Sequence, residues 1–420
     1  MASSRREGGY GKSRVSSIAS MVNDSQLPEK APTIENTVQV EILKGGFCGS
    51  VAFWSCLQDP REAIFPATST SCLDSSVFSK ERGLQFFDGK AVEKGDTVEL
   101  RVVQETDQLV FLTVPSQRIP RHAALPRWHF DMVLDDRRNQ AFEKAIRRGI
   151  EFKKSIGCEL LTVLDAGAGS GLLSMMSARA GAGKVVGVEI SPHLCDTGEE
   201  IVIMNGFGGV CKMINKDVRH VSSANRPNNN PPDLDGKAQI LVMEVFDSGL
   251  IGEGALHIIS AAYRSFLDED AIILPAGATV YFQLIQVDRV SHVHGIDVSH
   301  INRFHWRPSY DGIDLRRGKH IWHALSDEAI AFDFNFYEHE KNMRPASLRV
   351  ELRAKDQGIV NAVAFWFDLH LDEHCTLSTG PNAEQCTWQQ AVQYVQERRV
   401  KSGDRVVVYA SHDTRGIAFE

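Results

Sequence analysis

The chain lacks any run of about eighteen apolar residues, the length a membrane-spanning helix needs. It also lacks a Cys-x-x-Cys pair: its 8 cysteines lie scattered at 48, 56, 72, 158, 195, 211, 375 and 386. Structural zinc is thereby disfavoured, and reduced thiols are the plain expectation. Cys375 and Cys386, near His374, come closest to a ligand group, and we expect no metal there. Nor is basic charge in excess. Lys and Arg number 46 against 54 Asp and Glu, giving a net charge of −8 and a pI near 6.0. That balance argues against direct nucleic-acid binding and admits basic partners. Residues 1–11 hold no apolar stretch of a secretory leader. Arg5, Arg6, Lys12 and Arg14 carry faint traits of a mitochondrial presequence, countered by Glu7 and by the missing amphipathic pattern. The expectation is a cytoplasmic protein, with the nucleus also open to it, and no membrane partner.

Its 420 residues, 43% hydrophobic and 24% charged, can form two packed domains. Residues 1–35, rich in Ser, Gly and charge, read as a disordered tail. Short β-type runs at 38–42, 98–103 and 109–114 predict a small β-rich extension over residues 36–120. A helix is expected over 131–152, where Met132, Phe142 and Ile146 share a stripe. Strands at 161–165, 184–189 and 238–245 alternate with helical segments, one opening at 171. This predicts an α/β fold, a doubly wound Rossmann-like domain over residues 121–274. Strand patterns at 279–285, 347–353, 362–371 and 404–410 predict an antiparallel β domain over residues 275–420. The polar loop at 225–235 reads as a surface insertion.

Asp165-Ala-Gly-Ala-Gly-Ser-Gly171 follows the first of these strands and opens a helix. Gly167 and Gly169 permit a sharp turn and close approach of a ligand to the backbone. Glu189 ends the next strand, placed to accept from both ribose hydroxyls. A dinucleotide enzyme wants Gly-x-Gly-x-x-Gly, with pyrophosphate on the helix N-terminus. Here single residues separate the glycines and Asp165 precedes them; a carboxylate repels phosphate but accepts from an ammonium. That favours S-adenosylmethionine over a nicotinamide cofactor. Asp217 and Val218 follow a third short strand, where adenine would lie, a plain turn being the alternative.

Met243-Glu-Val-Phe-Asp-Ser-Gly-Leu-Ile-Gly-Glu-Gly254 leaves a strand at its carboxyl end, where open α/β sheets bind ligands. Glu244 and Glu253 stand nine positions apart, with Gly249 and Gly252 between them to fold the loop back. Two converging carboxylates suit a guanidinium, which is planar and offers donors in a fixed fork. Each charged hydrogen bond of this kind contributes roughly 1.5–3 kcal/mol. Guanidinium has a pKa above about 12, so it arrives protonated and poorly nucleophilic. Carboxylates can localise its charge, free one nitrogen and help remove the proton as a methyl is transferred.

Glycine loop, ribose glutamate and Glu-x8-Glu loop, in this order, resemble the protein arginine methyltransferases, from Trp128 to the C-terminus. The resemblance implies an S-adenosylmethionine-binding Rossmann-like domain, then an antiparallel β-barrel with a dimerisation arm at residues 287–319. Met132-Val-Leu-Asp-Asp-Arg-Arg-Asn-Gln-Ala-Phe142 looks like the family's cofactor-covering helix. By that likeness Arg138 grips the cofactor carboxylate and Met132 lies against the methyl donor. Cys386-Thr-Trp388 resembles the family's Thr-His-Trp loop, in register with Ala364-Phe-Trp-Phe-Asp368 and Leu377-Ser-Thr379. Thr387 stands where most members carry a histidine paired with an aspartate, matching Asp135 here. That His–Asp support is expected to be missing, with Asp135, Thr387 and Trp388 on the substrate side. The wording of the glutamate loop is similar to the monomethylating, type III branch, that of protein arginine methyltransferase 7. It implies ω-N-monomethylarginine as the only product. Arg- and Gly-rich segments of proteins, RNA-binding proteins and histones among them, are the implied substrates, and a head-to-tail homodimer the implied assembly. Two other readings remain. A small-molecule acceptor is disfavoured by the large C-terminal domain and the paired glutamates. A non-enzymatic regulator is disfavoured by intact Asp165, Glu189, Glu244 and Glu253.

Overall fold

The computed structural model describes residues 34–53, 83–105, 108–113, 125, 128–223, 232–304, 309–317, 322–384 and 386–420. The tail expected over 1–35 lies almost wholly outside the described residues, as does most of the loop at 225–235. The chain forms two compact units, Met1–Pro126 and Arg127–Glu420.

In the first unit the apolar runs become strands: β1 (Ile34–Glu41), β2 (Gly46–Phe53), β3 (Gly83–Val92), β4 (Thr97–Glu105) and β5 (Gln108–Thr113). They make an antiparallel sheet in the order β1-β4-β5 and a two-stranded sheet, β2-β3. Val40, Ile42, Val92, Val98 and Leu100 form a small core.

In the second unit the single helix expected over 131–152 proves to be two, α1 (Trp128–Val133) and α2 (Asp136–Ser155). The break has a local cause. Asp135 accepts from the Arg138 amide at 3.0 Å, an N-cap that starts a fresh helix. α2 buries Phe142, Ala145, Ile146, Gly149 and Ile150 along one stripe. There follow β6 (Thr162–Ala166), α3 (Leu172–Arg179), β7 (Lys184–Glu189), α4 (Pro192–Met204), β8 (Cys211–Asn215), β9 (Ala238–Met243), α5 (Ala255–Ser265) and β10 (Leu267–Leu274). The strands are parallel in the order β10-β9-β6-β7-β8. β6, β7 and β9 are buried almost end to end, as a parallel sheet covered on both faces demands. β6 lies between β7 and β9, so strand order reverses there and a crevice opens at their carboxyl ends.

The remainder is β11 (Gly277–Val287), β12 (His292–Val293), β13 (Ile296–Asp297), β14 (Asp311–Ile313), β15 (Trp322–Ala324), β16 (Ala329–Asn335), α6 (His339–Asn342), β17 (Ala346–Arg353), β18 (Gly358–Asp372), β19 (Cys375–Ser378), β20 (Gln390–Val400), β21 (Arg405–His412) and β22 (Ile417–Phe419). β14-β20-β18-β11-β15, with β16 on β11 and β19 on β18, make a curled antiparallel sheet. β17-β21-β22 form a second sheet. Gln393 of β20 stitches the two together: its amide donates to Phe419 O at 2.8 Å and accepts from Phe419 N at 2.9 Å. Between the parallel sheet and this barrel, Phe246 stacks on Phe336 with centroids 6.1 Å apart.

The stretch expected to be an arm is divided. β12 and β13 pair with each other, outside the curled sheet, and Val293, Ile296, Ile301 and Phe304 are exposed. Yet β14 pairs with β20 in the barrel, and Leu315 is buried. The chain from Tyr310 to Arg317 therefore belongs to the barrel wall. Residues 305–308 and 318–319 lie outside the described residues.

Gln393→Ala is expected to leave the buried N–H and C=O of Phe419 unpaired, at roughly 1–3 kcal/mol for each group. Urea unfolding checks this: the midpoint should fall, and an unchanged midpoint contradicts the role given to this side chain.

Candidate functional site

β6 ends at Ala166, and the chain turns through Gly167 and Gly169 at φ +76° and +54°. A Cβ on Gly167 would run into the Val245 side chain and stand 3.2 Å from Glu244 O. Glycine is what lets this loop lie against the segment that carries Glu244. Glu189 ties the loop to β7: it accepts from Gly169 N at 3.0 Å and from Ser191 N at 2.8 Å. Asp165 lies beneath with no exposed surface. Its Oδ2 accepts from the Ser174 hydroxyl at 2.6 Å, and its Oδ1 has no partner. Burial, opposed by the Ser174 bonds, pushes its pKa up to about 7. The reading of Asp165 as an open acceptor for an ammonium thus meets a carboxyl buried under the loop.

Asp217 caps the turn Val218–His220, accepting from Arg219 N at 2.9 Å. Its carboxylate also holds the Arg219 guanidinium at 2.5 Å, which keeps its pKa below the ordinary range. Val218 is buried. Asp217 is therefore engaged by its own turn.

α1 and α2 bring His129 and Arg138 to the glycine loop and to Glu244. Met132 is half-buried on α1. His129, one turn before it, has both ring nitrogens buried and unpartnered. Burial lowers its pKa, while Glu189 and Glu244 raise it and Arg138 lowers it further. Arg138, 4% exposed on α2, donates from Nη2 to Glu244 Oε2 at 2.7 Å and leaves Nε buried and unpaired. Its guanidinium stands 5.8 Å from the Trp388 ring centroid. Sequence reasoning gave Arg138 to the cofactor; the structure also gives it the catalytic-side glutamate.

Glu244 follows β9 directly, its side chain 9% exposed. Glu253 sits at the far end of the loop and is exposed as a residue, while its carboxyl is partly desolvated. That desolvation, then the charges of Glu244, Asp247 and Glu189, push its pKa up to about 7. The charge of Glu244 thus reaches Glu253. Between them Asp247 Oδ1 accepts from Gly252 N at 2.9 Å, and Oδ2 accepts from the Tyr310 hydroxyl at 2.5 Å.

The barrel grips the same region. Asp135 Oδ2 accepts from the Thr387 amide at 2.7 Å and from its hydroxyl at 3.0 Å. The expected loss of support at this position is corrected: threonine replaces the histidine pairing with two bonds of its own. Trp388 donates to Phe246 O at 2.9 Å, tying the barrel to the glutamate loop. Arg316 donates to Cys386 O at 3.0 Å and Trp388 O at 2.7 Å. His129, Ser174, Asp247, Tyr310 and Arg316 were not found from the sequence. His129 could have been, since it lies three positions before Met132 on one helical face.

Of the eight unpartnered buried atoms among the described residues, those on Arg148, His339, Asp368 and His412 lie elsewhere, and four (both nitrogens of His129, Arg138 Nε and Asp165 Oδ1) lie about the glycine loop. Buried polar atoms are ordinarily hydrogen-bonded, so these fit a polar ligand there. A guanidinium with a neutral imidazole beside it, and a carboxyl, suit a zwitterionic amino-acid group, and Glu189 suits a ribose. This donor set matches S-adenosylmethionine. Among the described residues no group of three or more His, Cys, Asp or Glu is arranged to hold a metal ion.

Residues 276–414 match the family described as the arginine methyltransferase oligomerization subdomain, and residues 150–234 the ribosomal protein L11 methyltransferase family. An arginine N(omega)-methyltransferase of Streptomyces achromogenes subsp. streptozoticus is 35% identical over 272 residues, 63% of this chain and 70% of that protein. Protein arginine N-methyltransferase 7 of Gallus gallus is 32% identical over 67% of this chain. Protein arginine N-methyltransferase 9 of Mus musculus is 27% identical over 68%. The chain spans 44% and 37% of those two proteins' lengths. The structure resembles that of the Trypanosoma brucei PRMT1 enzyme–prozyme heterotetrameric complex with AdoHcy, with a TM-score of 0.54 and 25% identity over 68% of this chain and 88% of that one.

Glu253 is held in the folded state at a pKa of about 7 against an ordinary 4.5. A carboxyl with a raised folded pKa stabilises the protonated state, so stability falls as pH rises from the lower value through the higher. Glu253→Gln should therefore raise the melting temperature of the cofactor-free protein well above neutrality and leave it nearly unchanged near pH 4.5. Equal melting temperatures at pH 8 would contradict this.

Proposed function

The chain belongs to the protein arginine methyltransferase family, and we propose that it methylates an ω-nitrogen of arginine in other proteins, stopping at ω-N-monomethylarginine. The reading is supported by Glu244, held by Arg138 beside the glycine loop, and by Glu253, near enough that the charges of Glu244 and Asp247 add to its partial desolvation in raising its pKa to about 7. S-adenosylmethionine supplies the electrophilic methyl group. Arg138 and His129 would hold its carboxylate, and Glu189 its ribose. Glu244, fixed by Arg138, binds one edge of the guanidinium and draws its charge there. Glu253 accepts from the nitrogen that attacks. A carboxylate raised toward neutrality is also the better proton acceptor, so it can take the proton that leaves as the N–C bond forms.

Monomethylation is supported by the wording of residues 244–256 and by the likeness to protein arginine N-methyltransferase 7. A guanidinium that already carries a methyl must re-enter with its other nitrogen toward the donor, and a close-fitting pocket refuses it. Substrates of Arg- and Gly-rich sequence, RNA-binding proteins and histones included, are proposed on the family likeness. The match to an oligomerization subdomain and exposed Val293, Ile296, Ile301 and Phe304 support a homodimer. Sedimentation at micromolar concentration should show twice the chain mass, and monomer alone would count against it.

A second reading is favoured by the bacterial relative, whose name gives arginine, without mention of protein, as what it methylates. Free arginine is then the acceptor. Labelled S-adenosylmethionine with a Gly–Arg-rich peptide, or with free arginine, separates the two after hydrolysis and resolution of the methylated arginines. Monomethylarginine from the peptide is expected, with Glu244→Gln and Glu253→Gln each losing about a hundredfold or more in rate. Dimethylarginine contradicts the proposed pocket. Preference for free arginine supports the second reading, and no transfer to either overturns both.

A further inference from the structure

The glutamate loop is held by a group from the barrel that the transfer itself does not require. Tyr310 lies 63 positions beyond Asp247 in the chain, yet its hydroxyl donates to Asp247 Oδ2 at 2.5 Å. The other oxygen of Asp247 accepts from the amide of Gly252 at 2.9 Å, and Gly252 immediately precedes Glu253. Behind the loop, the Tyr310 ring stands edge-on to Phe365, centroids 5.0 Å apart, and Phe365 is fully buried in β18. Gly249 and Gly252 make the fit possible, since a Cβ on either would strike the phenol.

We propose that Tyr310 is a positioning residue for Glu253: seated on the barrel, it fixes Asp247, Asp247 fixes the Gly252 amide, and the glutamate next in the chain is aimed at the arginine acceptor. This rests on the arginine-transfer reading above. The phenol remains a donor throughout the working range, because burial and the neighbouring carboxylates of Asp247 and Glu253 push its pKa far above the ordinary value. Asp247 in turn is one of the charges that raise Glu253, so the tie governs the electrostatics of Glu253 as well as its position.

In the full chain, Tyr310→Phe keeps the ring and removes the hydroxyl. The expected result is a loss of about tenfold or more in kcat/KM for a Gly–Arg-rich peptide, equivalent to about 1.4 kcal/mol. The dissociation constant for S-adenosylhomocysteine, read by calorimetry, should stay within about twofold. Asp247→Ala cuts the same tie from the other end, so the double variant should be no slower than the slower single one. If Tyr310→Phe does not fold, Asp247→Ala against Asp247→Asn carries the test. Asparagine keeps an acceptor for the Gly252 amide. It should retain most of the rate that alanine loses, and shift the acid limb of the kcat/KM profile to lower pH. A Tyr310→Phe enzyme within about twofold of the wild type overturns the proposal. So does cofactor affinity that falls in parallel with turnover, or asparagine as slow as alanine. A wild-type chain that methylates no arginine overturns the proposed function, and this proposal with it.

Discussion

Negative charge crowded into one crevice is the constraint around which the second unit is arranged. Asp165, Glu189, Glu244, Asp247 and Glu253 all meet near the carboxyl ends of β6, β7 and β9, and like charges so placed oppose one another. The fold answers each differently. Glu244 is matched by Arg138, Glu189 by two backbone amides, Asp247 by an amide and a phenol, and Asp165 by a serine hydroxyl. Among the described residues Glu253 has no such partner, and its pKa is raised to about 7. The repulsion left on Glu253 is relieved by a proton or by an incoming cation, so a guanidinium that binds there favours the ionised carboxylate.

The barrel's part in this is mechanical. Thr387 holds the N-cap of α2, Trp388 holds the backbone of the glutamate loop, and Arg316 holds the segment that bears them both. α2 in turn carries Arg138. A displacement of the Cys386–Trp388 segment would reach Glu244 through two routes, along the helix and through Phe246. Precision at the carboxylates therefore depends on residues more than a hundred positions away in the chain.

Much of this was legible before the structure. The glycine loop, Glu189 and the glutamate pair announce themselves because each is a short motif at the end of an apolar strand. The fold class follows from the period of the apolar residues. What was not legible divides by physical cause. The break between α1 and α2 depends on Asp135 acting as a cap, where a continuous stripe suggested one helix. The return of residues 310–317 to the barrel is set by pairing with β20, and Arg316 meets Cys386 across 70 positions. No local pattern encodes contacts of that range. The threonine at 387 was seen as a loss because sequence shows which side chain is missing and hides what the backbone amide beside it can do.

That threonine has a further consequence. A histidine holding an aspartate binds most strongly when protonated, and its charge changes near its ordinary pKa of about 6.5. A grip built on imidazole therefore loosens as pH rises through neutrality. Thr387 offers Asp135 a hydroxyl and an amide, neither of which titrates in that range. The clasp between barrel and helix accordingly keeps both its donors as pH rises through neutrality, where one built on imidazole would lose a charge.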